Sequence, residues 1–302
     1  MPILCLRKPI KLMNRPLYSQ LVAYYEIIEG RDWRSEIKLI TSILREHRYK
    51  SLIDLGCGTG YHARALVRLG FETTGIDISK QNILFARKMA MEETVRPRFV
   101  VGSYYEYHPT ERFDAALCLN WSIPVKDGEV KRFLDNTYSL LRPGGLLVFD
   151  FERVSQVVWS DVGKAIIETW DQGRNLIVRV SIGQMVTNVL YSRDVYLIYA
   201  KLLKPTLPDE SSRYKAAARN NQVQMYVDRS CVRFFSMSEL RRFARQSGFR
   251  VIANFVLPRN KYKRNYAVLE RLTDPVPHCI SLIMCYFNGS NLLPLLPQTM
   301  GF

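Results

Sequence analysis

The sequence contains no apolar run approaching the about 18 residues that a membrane-spanning helix needs, and its N-terminal MPILCLRKPIKLM lacks the apolar centre of a secretory leader. A cytoplasmic protein with no membrane span is expected. The six cysteines, Cys5, Cys57, Cys118, Cys231, Cys279 and Cys285, are scattered with no C-x-x-C pair, which argues against a disulfide framework or a zinc knuckle. The four histidines, His47, His62, His108 and His278, show no ligand spacing either, so no metal is expected. Glycine and proline are sparse, 16 and 14 of 302 residues, while 47% of the chain is apolar and 24% charged. That composition excludes disorder, collagen and coiled coil as descriptions of the whole chain.

Acidic residues are also short, 28 against 43 Lys and Arg, a formal net charge of +15. The imbalance is local: residues 51–150 hold twelve basic and twelve acidic residues, residues 1–50 ten and five, and residues 231–302 ten and three. Basic ends suit phosphates, acidic lipids or an anionic substrate, and they equally suit a solvated face with no partner. The last 28 residues, 275–302, contain no Asp, Glu, Lys or Arg and four prolines.

The periodicity predicts a helix over 35–47, with Ile37, Ile40, Ile43 and Leu44 on one face behind a Ser35 cap. Beyond it, apolar runs at 51–55, 71–77, 98–101, 113–119 and 146–151 alternate with helical segments near 61–69, 79–91 and 128–141. Such alternation implies crossovers and a parallel sheet. Residues 152–235 interrupt the scheme with β-branched and aromatic alternation, as in Val178, Val180 and Ile182, which predicts an inserted antiparallel sheet with a mobile loop over 205–221. The scheme resumes with a helix at 238–247 and strands at 249–256 and 265–271. The expected organisation is an N-terminal helical cap (1–50), a core (51–151), an inserted β lid or interface (152–235), the remainder of the core (236–273) and an uncharged tail (274–302).

The chemistry concentrates in SLIDLGCGTGYHARALVRLG at 51–70, where a buried strand runs through Asp54, Gly56, Cys57, Gly58 and Gly60 straight into a helix. Glycines at alternate positions allow a tight turn and let a ligand approach the main chain. The G-x-G-x-G spacing fits neither the dinucleotide fingerprint nor the P-loop, which disfavours a phosphate cradle. The next strand ends in Gly75-Ile76-Asp77-Ile78, and a carboxylate there can accept from both hydroxyls of a ribose; as a cap for the helix that follows, Asp77 has the competing structural role.

Four motifs in order, IDLGCGTG (53–60), GIDIS (75–79), FDAALCLN (113–120) and LLRPGGLLVFDF (140–151), resemble the class I S-adenosylmethionine-dependent methyltransferases, and FFSMSELRRFARQSGFRVIANF (234–255) extends the likeness. The resemblance implies an α/β, seven-stranded doubly wound sheet whose final strand is reversed. It implies S-adenosyl-L-methionine as cofactor, with the glycine loop and Asp54 around the methionine portion, Asp77 on the ribose and Ile78 on the adenine. Where the family commonly has Asp after the third strand this chain has Ser103, a weaker acceptor, followed by Tyr104, which can stack on a base or simply end the strand. Leu119 and the residues after it stand where the methyl group should emerge.

The segment Tyr24-Tyr25-Glu26-Ile27-Ile28 with Trp33 and Glu36, His62 behind the glycine loop and the β insertion look like amino-sugar and glycine-type N-methyltransferases, in which helices and an inserted sheet cover the pocket. The expected function is methyl transfer to nitrogen, less readily oxygen, of a small-molecule acceptor. Transfer to RNA or protein through the basic ends and RNKYKR (259–264) is the alternative, and a noncatalytic cofactor-binding regulator the third. A neutral amine needs only to be held in line with the methyl group. An acceptor that arrives protonated needs a base, for which His62, Tyr25 and Asp150 are the candidates. Nucleic-acid contact through the basic ends is expected to be nonspecific, and a homodimer through the insertion is open.

Overall fold

The computed structural model describes residues 15–29, 33–120, 122–173, 175–200, 223–259 and 262–273. Short 3-10 turns at Pro16–Tyr18 and Val22–Tyr24 lead into the single-turn helix α1 (Tyr25–Ile28), and α2 spans Trp33–Glu46. Helix α2 begins earlier than the sequence suggests, so Ser35 sits inside its first turn and is not its cap. Five strands follow, β1 (Ser51–Leu55), β2 (Glu72–Asp77), β3 (Arg98–Val101), β4 (Phe113–Cys118) and β5 (Leu141–Arg153), with α3 (Tyr61–Arg68), α4 (Lys80–Glu92) and α5 (Asp127–Leu140) crossing between them.

These strands lie parallel in the order β3-β2-β1-β4-β5. Near the C-terminal end of the described chain, α6 (Met237–Gln246) precedes β10 (Phe249–Arg259) and β11 (Tyr262–Arg271). Strand β11 runs antiparallel to β5 and β10 antiparallel to β11, completing the seven-stranded sheet with its reversed final strand. Helix α6 starts where it does because Ser236 and Glu239 form a reciprocal capping box.

Both sheet faces are covered, which is why the strands read as continuous apolar runs and do not alternate. Ile53, Leu55, Phe149 and Leu269 pack with Phe133 of α5 and Phe243 of α6 on one face. Leu52, Leu117 and Val148 pack with Ile40 and Leu44 of α2 and Leu66 of α3 on the other. Each such side chain contributes about 1.5–3 kcal/mol on removal from water.

Between β5 and α6 lie β6 (Ala165–Asp171), β7 (Asn175–Val186), β8 (Val189–Ala200) and β9 (Val223–Phe235), an antiparallel sheet joined to the first where Glu152 and Arg153 of β5 pair with Phe234 and Phe235. Its inner face presents Ile177, Tyr196 and Ile198 to Leu17, Leu21, Tyr25 and Ile28 of the N-terminal segment. Arg15 Nε and Nη2 reach across to the Asp228 carboxylate at 3.1 and 2.9 Å. The outer face has no such cover among the described residues: Ile167 and Met225 are each 66% exposed, and Ile182, Val223 and Val227 are exposed beside them. The expected loop over 205–221 and the uncharged tail lie outside the described residues.

Candidate active site

The loop between β1 and α3 is shaped by left-handed glycines, Gly56 at φ +76°, Gly58 at +54° and Gly60 at +73°. A Cβ on Gly60 would stand 2.5 Å from the Phe99 ring and 2.9 Å from Ala86 Cβ, so this glycine lets the loop press against β3 and α4. A Cβ on Gly56 would stand 2.8 Å from Ser122 Oγ. The loop is pinned to the neighbouring strand, because the Gly56 and Cys57 amides both donate to the Ile76 carbonyl, at 2.8 and 3.0 Å.

Asp77, at the end of β2, is built into this arrangement. Its Oδ2 accepts from the Gly58 amide at 2.9 Å and its Oδ1 from the Ser79 amide at 2.7 Å. Burial pushes its carboxyl above the usual range, and the Ser79 and Gly58 amides offset only part of that rise. The cap of α4 is Ser79, whose hydroxyl accepts from Asn82 N. Asp77 therefore braces the glycine loop against the start of that helix. Ile78, next to it, is 41% exposed.

A pocket at the carboxyl ends of the strands is lined by Asp54, Gly56, Cys57, Gly58, Thr59, Leu119 and Asn120 on the sheet side, and by Tyr25, Trp33, Tyr61 and His62. Eight of the sequence candidates meet there, namely Tyr25, Trp33, Asp54, Gly56, Cys57, Gly58, His62 and Leu119. Asp77, Ile78, Gly60, Ser103, Tyr104 and Asp150 do not line it. Ser103 accepts from the Tyr105 amide at 3.2 Å and shapes the turn after β3. The Tyr104 ring meets Phe133 edge-on and its hydroxyl donates to the Ser122 carbonyl at 3.1 Å, and burial raises its pKa. The Cys57 and Cys118 thiols are likewise pushed well up by burial, which disfavours a nucleophilic thiolate at either.

The sequence did not reveal what holds the pocket walls. His62 Nε2 is 2.9 Å from Glu36 Oε2, and the Tyr266 hydroxyl donates to Glu36 Oε1 at 2.5 Å, so a carboxylate only 1% exposed ties α2, α3 and β11 together. The ring of Trp33 packs on Tyr61 with centroids 4.4 Å apart. Arg64, 2% exposed, donates to the Thr59 carbonyl, to Glu93 at 2.9 Å and to Glu26 at 3.1 Å, while the Thr59 hydroxyl donates to the same Glu26 oxygen at 2.7 Å. Glu26 of α1 is thus fastened to the glycine loop.

Asp150, fully buried, accepts from Arg264 Nη1 at 2.8 Å, and the same nitrogen lies 3.4 Å from Asn120 Oδ1. Arg264 belongs to the basic run RNKYKR (259–264), which the sequence offers as support for an RNA or protein acceptor. It is 3% exposed and serves the interior, because its neighbour in the fold is a buried carboxylate that demands a cation. Among the described residues no group of three His, Cys, Asp or Glu is gathered as metal ligands.

Residues 52–145 match the family described as a methyltransferase domain. Curated relatives include a ubiquinone biosynthesis O-methyltransferase of Paramagnetospirillum magneticum, 33% identical over 141 residues covering 47% of this chain and 53% of that one. They also include the glycine N-methyltransferase of Rattus norvegicus, 30% identical over 134 residues, 39% of this chain and 46% of that one. The chain spans about half the length of the curated relatives it matches. Among solved structures, an amino pentose methyltransferase from Micromonospora echinaspora superposes with a TM-score of 0.63 at 17% identity, covering 82% of this chain and 96% of that chain. An S-adenosylmethionine-dependent methyltransferase from Clostridium acetobutylicum gives 0.65 at 11% identity, covering 84% and 97%. The fold is that of the class I methyltransferases, and the match to a methyltransferase-domain family covers residues 52–145.

Proposed function

We propose that the chain is an S-adenosylmethionine-dependent methyltransferase that methylates the nitrogen of a small-molecule amine. The residues fit the cofactor: Gly56 and Gly58 leave the loop's backbone open to the pocket between Cys57 and Thr59, with Asp54 behind it and Asp77 at the adjoining strand end. When bound, S-adenosylmethionine supplies an electrophilic methyl group on sulfur. The glycine loop and Asp54 would border its methionine portion and Asp77 its ribose.

The observation that carries the acceptor class is the aromatic wall of Tyr25, Trp33 and Tyr61 facing the loop. Aromatic rings offer an apolar surface on which the carbon frame of a small neutral amine would pack. Holding an amine lone pair in line supplies much of the acceleration by itself. Asp150 is committed to Arg264 in the interior, away from the pocket lining, and is not the base in this scheme.

The Glu36–His62 pair supports a second reading, oxygen as acceptor, because a carboxylate that orients an imidazole is how a hydroxyl is deprotonated. Methyl incorporation from labelled S-adenosylmethionine, measured on panels of amines, phenols and total RNA, separates these readings. Label in amines that persists in His62→Asn is expected. Label confined to phenols and lost in His62→Asn assigns oxygen, and label in RNA alone overturns both.

A further inference from the structure

The equal count of basic and acidic residues over 51–150 conceals a segregation that the fold creates. At the amino-terminal edge of the parallel sheet, opposite the glycine loop, lies a groove of about 540 Å³ whose rim carries Arg96, Arg98, Arg112 and Arg142. Residues that open four strands contribute to it, Ser51 of β1, Glu72 of β2, Arg98 of β3 and Phe113 of β4. With about 3.3 Å per residue, the five residues of β1 put this edge about 17 Å from the cofactor pocket. The groove is a separate feature of the molecule.

Arg142 is occupied by Asp114, at 2.6 Å. Among the described residues Arg96, Arg98 and Arg112 pair with no carboxylate, although Glu72 and Glu111 line the same groove. All three arginines are exposed. Thr73 on the lining is 5% exposed, and its hydroxyl has no hydrogen-bond partner. The volume falls in the range of about 300–1,000 Å³ typical of small-molecule sites. Of the aromatic residues on the lining, Phe71 is buried and Tyr107 and Phe113 are half-buried, so there is no row of exposed rings on which successive bases of a strand would stack.

We propose that this groove binds a small phosphate-bearing anion, held by Arg96, Arg98 and Arg112. Guanidinium groups without carboxylate partners match phosphate oxygens in charge and in fork geometry, and three of them around one groove suit a ligand with more than one phosphoryl group.

Calorimetric titration of the full chain with inorganic tripolyphosphate at about 0.15 M salt tests this, the ionic strength being high enough to screen diffuse attraction. Wild type is expected to bind with one site, and Arg98→Ala/Arg112→Ala to bind about tenfold or more weaker, the loss of charge-assisted hydrogen bonds. The control Arg241→Ala/Arg245→Ala removes the same charge from exposed positions of α6 and should bind as wild type does. S-adenosylhomocysteine affinity should be the same in all three, which keeps failure here distinct from failure of the cofactor reading. Equal tripolyphosphate affinity in the two double variants overturns the site, as does binding of a short single-stranded RNA with none of tripolyphosphate.

Discussion

At the residue scale, Asp77 concentrates the most consequence in one side chain. It braces Gly58 and Ser79 from inside and presents its carboxylate at the strand end where a ribose would lie. Asp77→Ala is expected to weaken S-adenosylhomocysteine binding by about 1.5–3 kcal/mol, the scale of hydrogen bonds to a charged group, and calorimetry reads it directly. The sign of its pH dependence follows from burial. The folded carboxyl sits above its ordinary value, so the ionised acceptor form is lost as pH falls through that raised value, and affinity should decline before a free carboxyl would protonate. Asp114 behaves oppositely. Burial alone would raise it, but the Ser51 and Lys50 amides and Arg142 outweigh burial and hold it below the ordinary carboxylate value. Its stabilisation is full above the unfolded value and is lost as pH falls through the folded one. Asp114→Asn should therefore flatten the acid limb of a melting-temperature profile, and a limb unchanged in slope contradicts that role.

At the scale of elements, the N-terminal segment is the piece whose position matters. It is wedged between the glycine loop, through Glu26, and the inserted sheet, through Leu17, Leu21 and Arg15. The Arg15–Asp228 pair is nearly closed to solvent, with side-chain exposures of 11% and 1%. Asp194 stands directly opposite Asp228 in the sheet register, and burial raises its carboxyl pKa. Removing the cation leaves Asp228 buried beside a second carboxyl, so Arg15→Ala should cost about 3–5 kcal/mol in chemical denaturation. Adding Asp228→Asn to that variant should recover part of the loss. If Arg15→Ala unfolds at the wild-type midpoint, the segment is not anchored this way.

At the scale of the whole molecule, the two faces of the inserted sheet differ. One is filled by the N-terminal segment, while the other leaves Ile167 of β6, Ile182 of β7 and Val223, Met225 and Val227 of β9 exposed. The same face of a second copy would cover it by packing sheet on sheet at about 10 Å. Light scattering is expected to give a dimer mass for wild type and a monomer mass for Ile167→Lys/Met225→Lys. A monomeric wild type removes the second copy as the cover.

What the sequence determined by itself was whatever depends on near neighbours in the chain. The alternation of buried strands and amphipathic helices, the glycine turn and the β-rich interruption were all legible, because strand and helix periods and left-handed glycines are local properties, whereas the direction of the last strand came only through the family resemblance. Asp54, Gly56, Cys57 and Gly58, which line one pocket, were singled out for the same reason, since they lie on one strand and turn. The tertiary structure decided the long-range pairings. Glu36 finds His62 and Tyr266 across the fold, Arg264 leaves an apparent surface run for Asp150, and Arg96, Arg98 and Arg112 converge from a chain stretch whose charges cancel. Ion pairs and grooves depend on which strand lies beside which, and no local period encodes the partner of a buried charge.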